Sequence, residues 1–139
     1  MFKRILVVAR AAQHAREAAR VAGETARWMQ AEHVWLVVCY PAIPGFLGFR
    51  EAGKAASARL AMAETAAEDL LQAMGAVPGR VQIDFLEGPA ADTAIRAAQA
   101  RHSDLIVMEH RSAGFFGRFR NARLRQLVLA RTGCPVLFV

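Results

Sequence analysis

Cysteine is scarce in this chain: Cys39 and Cys134 are the two in 139 residues, far apart and outside any CxxC or Cys/His ligand spacing. That pattern argues against a metal site or a disulfide framework and leaves reduced, packed thiols. Long apolar runs are missing too, and none approaches the roughly 18 residues of a membrane span. No charged segment followed by an apolar stretch and a small-residue cleavage site opens the sequence. The expectation is a cytoplasmic protein without a membrane partner. His14, His33 and His102 show no metal-ligand spacing to one another. Ser103 and Ser112 lack the glycines of a nucleophile elbow. No helix-turn-helix, RNP-type or zinc-finger pattern appears, and there is no internal repeat or low-complexity linker.

What is present is apolar and basic. Hydrophobic residues make up 55% of the chain and charged residues 22%, so it is expected to fold alone, as one domain over residues 1–139. The formal charge is +6 and unevenly placed: residues 109–131 hold six arginines (Arg111, Arg118, Arg120, Arg123, Arg125 and Arg131) against Glu109. Such a stretch attracts anions in a salt-dependent way, although arginine-rich helix faces are often merely solvated. Phe115, Phe116 and Phe119 are interleaved with these arginines. That mixture suits a core cover or a dimer contact better than a stacking nucleic-acid surface.

Periodicity predicts five strands alternating with four helices. KRILVVA at 3–9, HVWLVVCY at 33–40, RVQIDFLE at 80–87, DLIVM at 104–108 and PVLFV at 135–139 are strand-like, most of them short β-branched runs. Helical spacing of small and apolar residues marks 12–31, 52–75, 90–101 and 120–131. The segment YPAIPGFLGFRE breaks this pattern with an apolar loop around Phe46, Leu47 and Phe49. Trp28 and Trp35 are expected to pack helix to sheet and within a strand. Strands alternating with crossover helices give an α/β fold, a parallel sheet with helices on both faces.

In such sheets ligands gather outside the carboxyl ends of the strands where the winding reverses. The candidate positions are Arg10 to Ala12, Cys39 to Ala42, Glu87 with Gly88, and Met108 with Glu109, His110, Arg111 and Ser112. Glu109, His110 and Arg111 contain acid/base and oxyanion-holding groups, but three successive residues point in different directions and no nucleophile is fixed beside them. An enzyme is the least favoured class.

The opening KRILVV, Gly88-Pro89-Ala90 after the third strand, DLIVM and the closing CPVLFV resemble, in this order and spacing, the universal stress protein family. The resemblance spans nearly the whole chain and implies five parallel strands in the order 3-2-1-4-5. It also implies a homodimer paired through the last strand, here Pro135, Val136, Leu137, Phe138 and Val139. One branch of the family binds ATP through glycine, two residues, glycine, nine residues, then glycine with serine or threonine. Glu109, Ser112, Ala122 and Arg123 stand at those positions, and Arg10-Ala11-Ala12 replaces the family's usual Asp-Gly-Ser. A carboxylate at 109 would lie where phosphate oxygens need bare backbone. Arg10 and Glu109 are therefore expected to pair across the switch point and fill that region themselves.

The implied function is a non-enzymatic stress-response or regulatory binding module with no cofactor, in which ATP is disfavoured. One alternative keeps an adenine nucleotide or another anion on Arg10, Arg111 and Arg123 in place of glycine contacts. A second makes the chain a nucleic-acid-associated protein acting through Arg111 to Arg131.

Overall fold

The computed structural model describes residues 2–10, 15–40, 48–88, 90–109, 126 and 130–139. Along them run β1 (Arg4–Arg10), α1 (Arg16–Met29), β2 (His33–Tyr40), α2 (Phe49–Met74), β3 (Arg80–Glu87), α3 (Ala90–Arg101), β4 (Leu105–Met108) and β5 (Val136–Phe138). The strands form one sheet in the order β3-β2-β1-β4-β5. Every pairing is parallel, with Arg10 opposite Cys39 and Val8 opposite Met108. The implied order 3-2-1-4-5 is thus present, and β1 lies at its centre.

Both faces of β1 are covered, which is why its sequence runs apolar without alternation. Ile5, Val7 and Ala9 face α1 and α2, whereas Leu6 and Val8 face Ala94, Ile95, Ala97 and Ala98 of α3. The small face of α1 (Ala18, Ala19, Ala22, Gly23 and Ala26) is buried, so this helix approaches its neighbours closely. The closest approach is at Gly23, where a methyl group would overlap the main-chain carbonyl of Met74 at the end of α2. Arg27 seals that end, its Nη1 donating to the carbonyls of Met74 and Ala76 at 2.9 Å each. At the opposite rim Asp104 holds the starts of β4 and β1 together, accepting from the N–H groups of Lys3 (2.9 Å) and Arg4 (3.0 Å).

Several expectations need correction. Trp28 does not pack on the sheet but is 85% exposed, since burying the alanine stripe of α1 turns position 28 outward. Phe49 belongs to no loop: it opens α2, which starts earlier than position 52, and its side chain is fully exposed. Trp35 is buried as expected, stacked on His33 with ring centroids 5.1 Å apart and with the Arg101 guanidinium 5.5 Å from its own. Of the helix expected over 120–131, Gln126 and residues 130–132 are helical, and the rest lies outside the described residues. No described helix is long and apolar enough to cross a membrane.

Candidate functional site at the carboxyl edge of the sheet

Parallel register brings the ends of the strands to one rim. Arg10 continues the side-chain alternation of Leu6 and Val8, so it shares the α3 face with Cys39, which stands opposite it on β2. Met108 closes β4 on the same face, and Glu109 follows it directly. Gly88 follows β3 and donates its N–H to the Tyr40 carbonyl at 3.0 Å, which ties the turn into α3 to the end of β2. Five sequence-predicted residues, Arg10, Cys39, Gly88, Met108 and Glu109, are therefore gathered at the switch point. His110, Arg111, Ser112 and Arg123 lie outside the described residues, as do the phenylalanines at 115, 116 and 119.

The defining contact of this rim is an ion pair. Arg10 Nε donates to Glu109 Oε1 at 2.8 Å, with the glutamate side chain 9% exposed and the arginine 50%. A carboxylate so far withdrawn from water depends on a partner, and Arg10 supplies it from the neighbouring strand. The pair lies where the first and fourth strands diverge, the usual place for a ligand in such a sheet.

Beside the pair, burial pushes the Cys39 thiol up to about 11, while Thr93, Arg10 and Arg96 pull it the other way and Glu109 adds to the rise. The group is thus an uncharged thiol at neutral pH, unsuited to nucleophilic work. The pull from Thr93 is that of a hydroxyl beside a sulfur, which is a poor partner, and among the described residues Thr93 Oγ1 forms no hydrogen bond. Cys39 and Cys134 are both free cysteines. Among the described residues no group of three or more His, Cys, Asp or Glu could hold a metal ion.

Sequence reasoning missed Thr93 and Arg96. Both project from α3 one turn apart, in a helix otherwise rich in alanine, and residues at i and i+3 share a face. That spacing, together with a glycine before the helix, was the available signal.

The remaining residues expected to act are those of the last strand. Among the described residues β5 forms the edge of the sheet next to β4, held by bonds from Ile106 N–H to the Pro135 carbonyl (3.0 Å) and from Val139 N–H to the Met108 carbonyl (2.9 Å). Leu137 is 38% exposed there, between the half-buried Val136 and Phe138.

Comparison with known proteins agrees with this architecture. The family model described as the Universal stress protein family matches residues 1–139. A curated relative from Thermus aquaticus, a universal stress protein in the QAH/OAS sulfhydrylase 3' region, is 34% identical over 139 residues, covering 100% of this chain and 99% of its own. Among solved structures, universal stress protein UspA from Lactobacillus plantarum superimposes with a TM-score of 0.79 at 18% identity, covering 100% of this chain and 99% of that one. A universal stress protein in complex with cAMP gives a TM-score of 0.66 at 21% identity over 98% of this chain and 96% of that one.

Proposed function

This chain belongs to the universal stress protein family, and on that premise we propose that it is a non-enzymatic regulatory binding module whose triphosphate region is closed by its own side chains. The observation that carries this reading is the Arg10–Glu109 ion pair at the switch point. In an ATP-binding relative of the motif type described above, position 109 would be a glycine presenting bare backbone to phosphate. Here a carboxylate occupies it. Two anions about 4 Å apart repel by about 1 kcal/mol in water and about 4 kcal/mol at a partly dried site. Arg10, already engaged by Glu109, is not free to offset that repulsion. The neutral Cys39 thiol and the lack of a positioned nucleophile among the described residues favour binding over turnover. A cytoplasmic location belongs to the same reading, as does assembly of two copies through β5, the latter supported by the edge position of β5 among the described strands and the exposed Leu137.

The test is a thermal-shift and calorimetric series with ATP, AMP and cAMP, with and without magnesium, on the wild type and Glu109→Gly. The expected outcome is that ATP binds the wild type no more tightly than AMP and gains nothing from magnesium, while Glu109→Gly favours ATP. A wild-type preference for ATP over AMP of tenfold or more would overturn the closed-region reading.

A further inference from the structure

We propose that the amino end of α3, where Gly88, Thr93 and Arg96 converge, is a site for a small phosphate dianion, either inorganic phosphate or a phosphate monoester. The inference deepens the preceding reading, since it supplies an anion site beside the closed region rather than within it.

Thr93 is fully buried, and its Oγ1 has no hydrogen-bond partner among the described residues. Two helical threonines, in α1 and α2, return their hydroxyl to the preceding turn: Thr25 donates to the Val21 carbonyl at 2.8 Å and Thr65 to the Ala61 carbonyl at 3.0 Å. Thr93 does not follow them. A buried hydroxyl left unpaired lowers stability, so its retention calls for a partner that arrives from outside.

The surroundings indicate what that partner is. Gly88 has φ +125, and the place where its Cβ would stand is 3.8 Å from Thr93 Oγ1 and 3.7 Å from Arg96 Nη2. One point thus has bare backbone, a hydroxyl and a guanidinium within reach. Arg10, Arg16, Arg20 and Arg101 are all ion-paired, whereas Arg96 is exposed and no carboxylate among the described residues pairs with it. The first backbone N–H groups of a twelve-residue helix lack intrahelical partners and carry its positive end. Tetrahedral oxygens match a hydroxyl, a guanidinium fork and backbone donors together, which a single water does not. Asp92, in the same turn, is exposed and about 100° round the helix from Thr93. Thr93 Oγ1 is buried, so the anion reaches it by local movement, and the exposed Arg96 side chain, which no described carboxylate pairs with, is the part best able to move.

The experiment titrates inorganic phosphate and AMP into the full chain by calorimetry and phosphorus NMR, with Thr93→Val, Arg96→Gln, Arg10→Gln and Glu109→Gln alongside. Saturable one-site binding is expected, weakened roughly tenfold or more by Thr93→Val and by Arg96→Gln, as charge-assisted hydrogen bonds are lost. The exposed Arg96 variant is expected to fold even if Thr93→Val does not, and Thr93→Ser should keep the affinity. AMP tighter than phosphate identifies a monoester, and the reverse identifies free phosphate. Absence of phosphate and AMP binding, or binding indifferent to both Thr93→Val and Arg96→Gln, overturns the proposal and leaves the closed-region reading untouched. A tenfold ATP preference in the wild type refutes the latter reading instead.

Discussion

Replacing Gly23 by alanine sets two effects of opposite sign against each other. In an open helix interior the change gains about 1 kcal/mol of helix propensity. Here the added methyl would overlap the Met74 carbonyl oxygen, 2.8 Å from its carbon and 3.0 Å from Met74 Cγ. Main chain cannot rotate away as a side-chain tip can, so α1 and the end of α2 must separate. Overpacking of this kind costs about 1–3 kcal/mol. The same separation stretches both Arg27 bonds to the Met74 and Ala76 carbonyls. As that site is only partly buried, these add about 1 kcal/mol in all. The net expectation is a loss of about 2 kcal/mol, read as a lower urea midpoint at unchanged slope. Gly53 is the internal control, because it lies in α2 with nothing within 4 Å of an added Cβ. Gly53→Ala should gain about 0.5–1 kcal/mol. If Gly23→Ala stabilises the fold as Gly53→Ala does, the inferred contact between α1 and Met74 is wrong.

Three further outcomes follow from the same structure. The Cys39 thiol, raised by burial from an ordinary 9.0 to about 11, contributes stability that is complete below pH 9 and lost as pH rises toward 11; Cys39→Ala should flatten that part of the pH–stability curve by roughly 2 kcal/mol. Asp104→Ala removes the acceptor for two backbone N–H groups and should cost about 1–2 kcal/mol in chemical denaturation, with Asp104→Asn between it and wild type. Acrylamide should quench the fluorescence of Trp28 and spare Trp35, so Trp28→Phe should abolish most quenching while shifting stability by less than about 0.5 kcal/mol.

The strand order was legible through the family resemblance, and with it the meeting of Arg10 and Glu109, because a charged residue that follows a buried apolar run must lie at the rim of the sheet. Residues such as Ile5 to Ala9 and Val34 to Cys39 have no other stable placement. Trp28 misled because hydrophobicity favours burial on average, whereas α1 buries its alanines to come close, a choice made by Gly23 and Met74 far apart in sequence. Phe49 misled likewise, since prolines and glycines before it suggested a loop extending past the true helix start. Thr93 was missed for a different reason: its spacing from Arg96 after a glycine is a weak signal, and that its hydroxyl does not bond its own helix is seen only in three dimensions.

The centre of the sheet is completed late, only once β4 has been made. On one side β1 meets β2 with Arg4 opposite His33, but on the other it meets β4 with Ile5 opposite Leu105. Closing this roughly threefold longer loop costs about 1 kcal/mol more of chain entropy. During synthesis at about 5–20 residues per second, the edge of β1 that will receive β4 waits roughly 5–20 s after it is made. Throughout that interval β1, whose residues Ile5 to Ala9 are apolar, presents an unpaired edge to other nascent chains. The interleaved strand order that creates the switch point thus leaves an apolar edge unpaired in the newborn amino-terminal half, and places that aggregation hazard before the site exists at all.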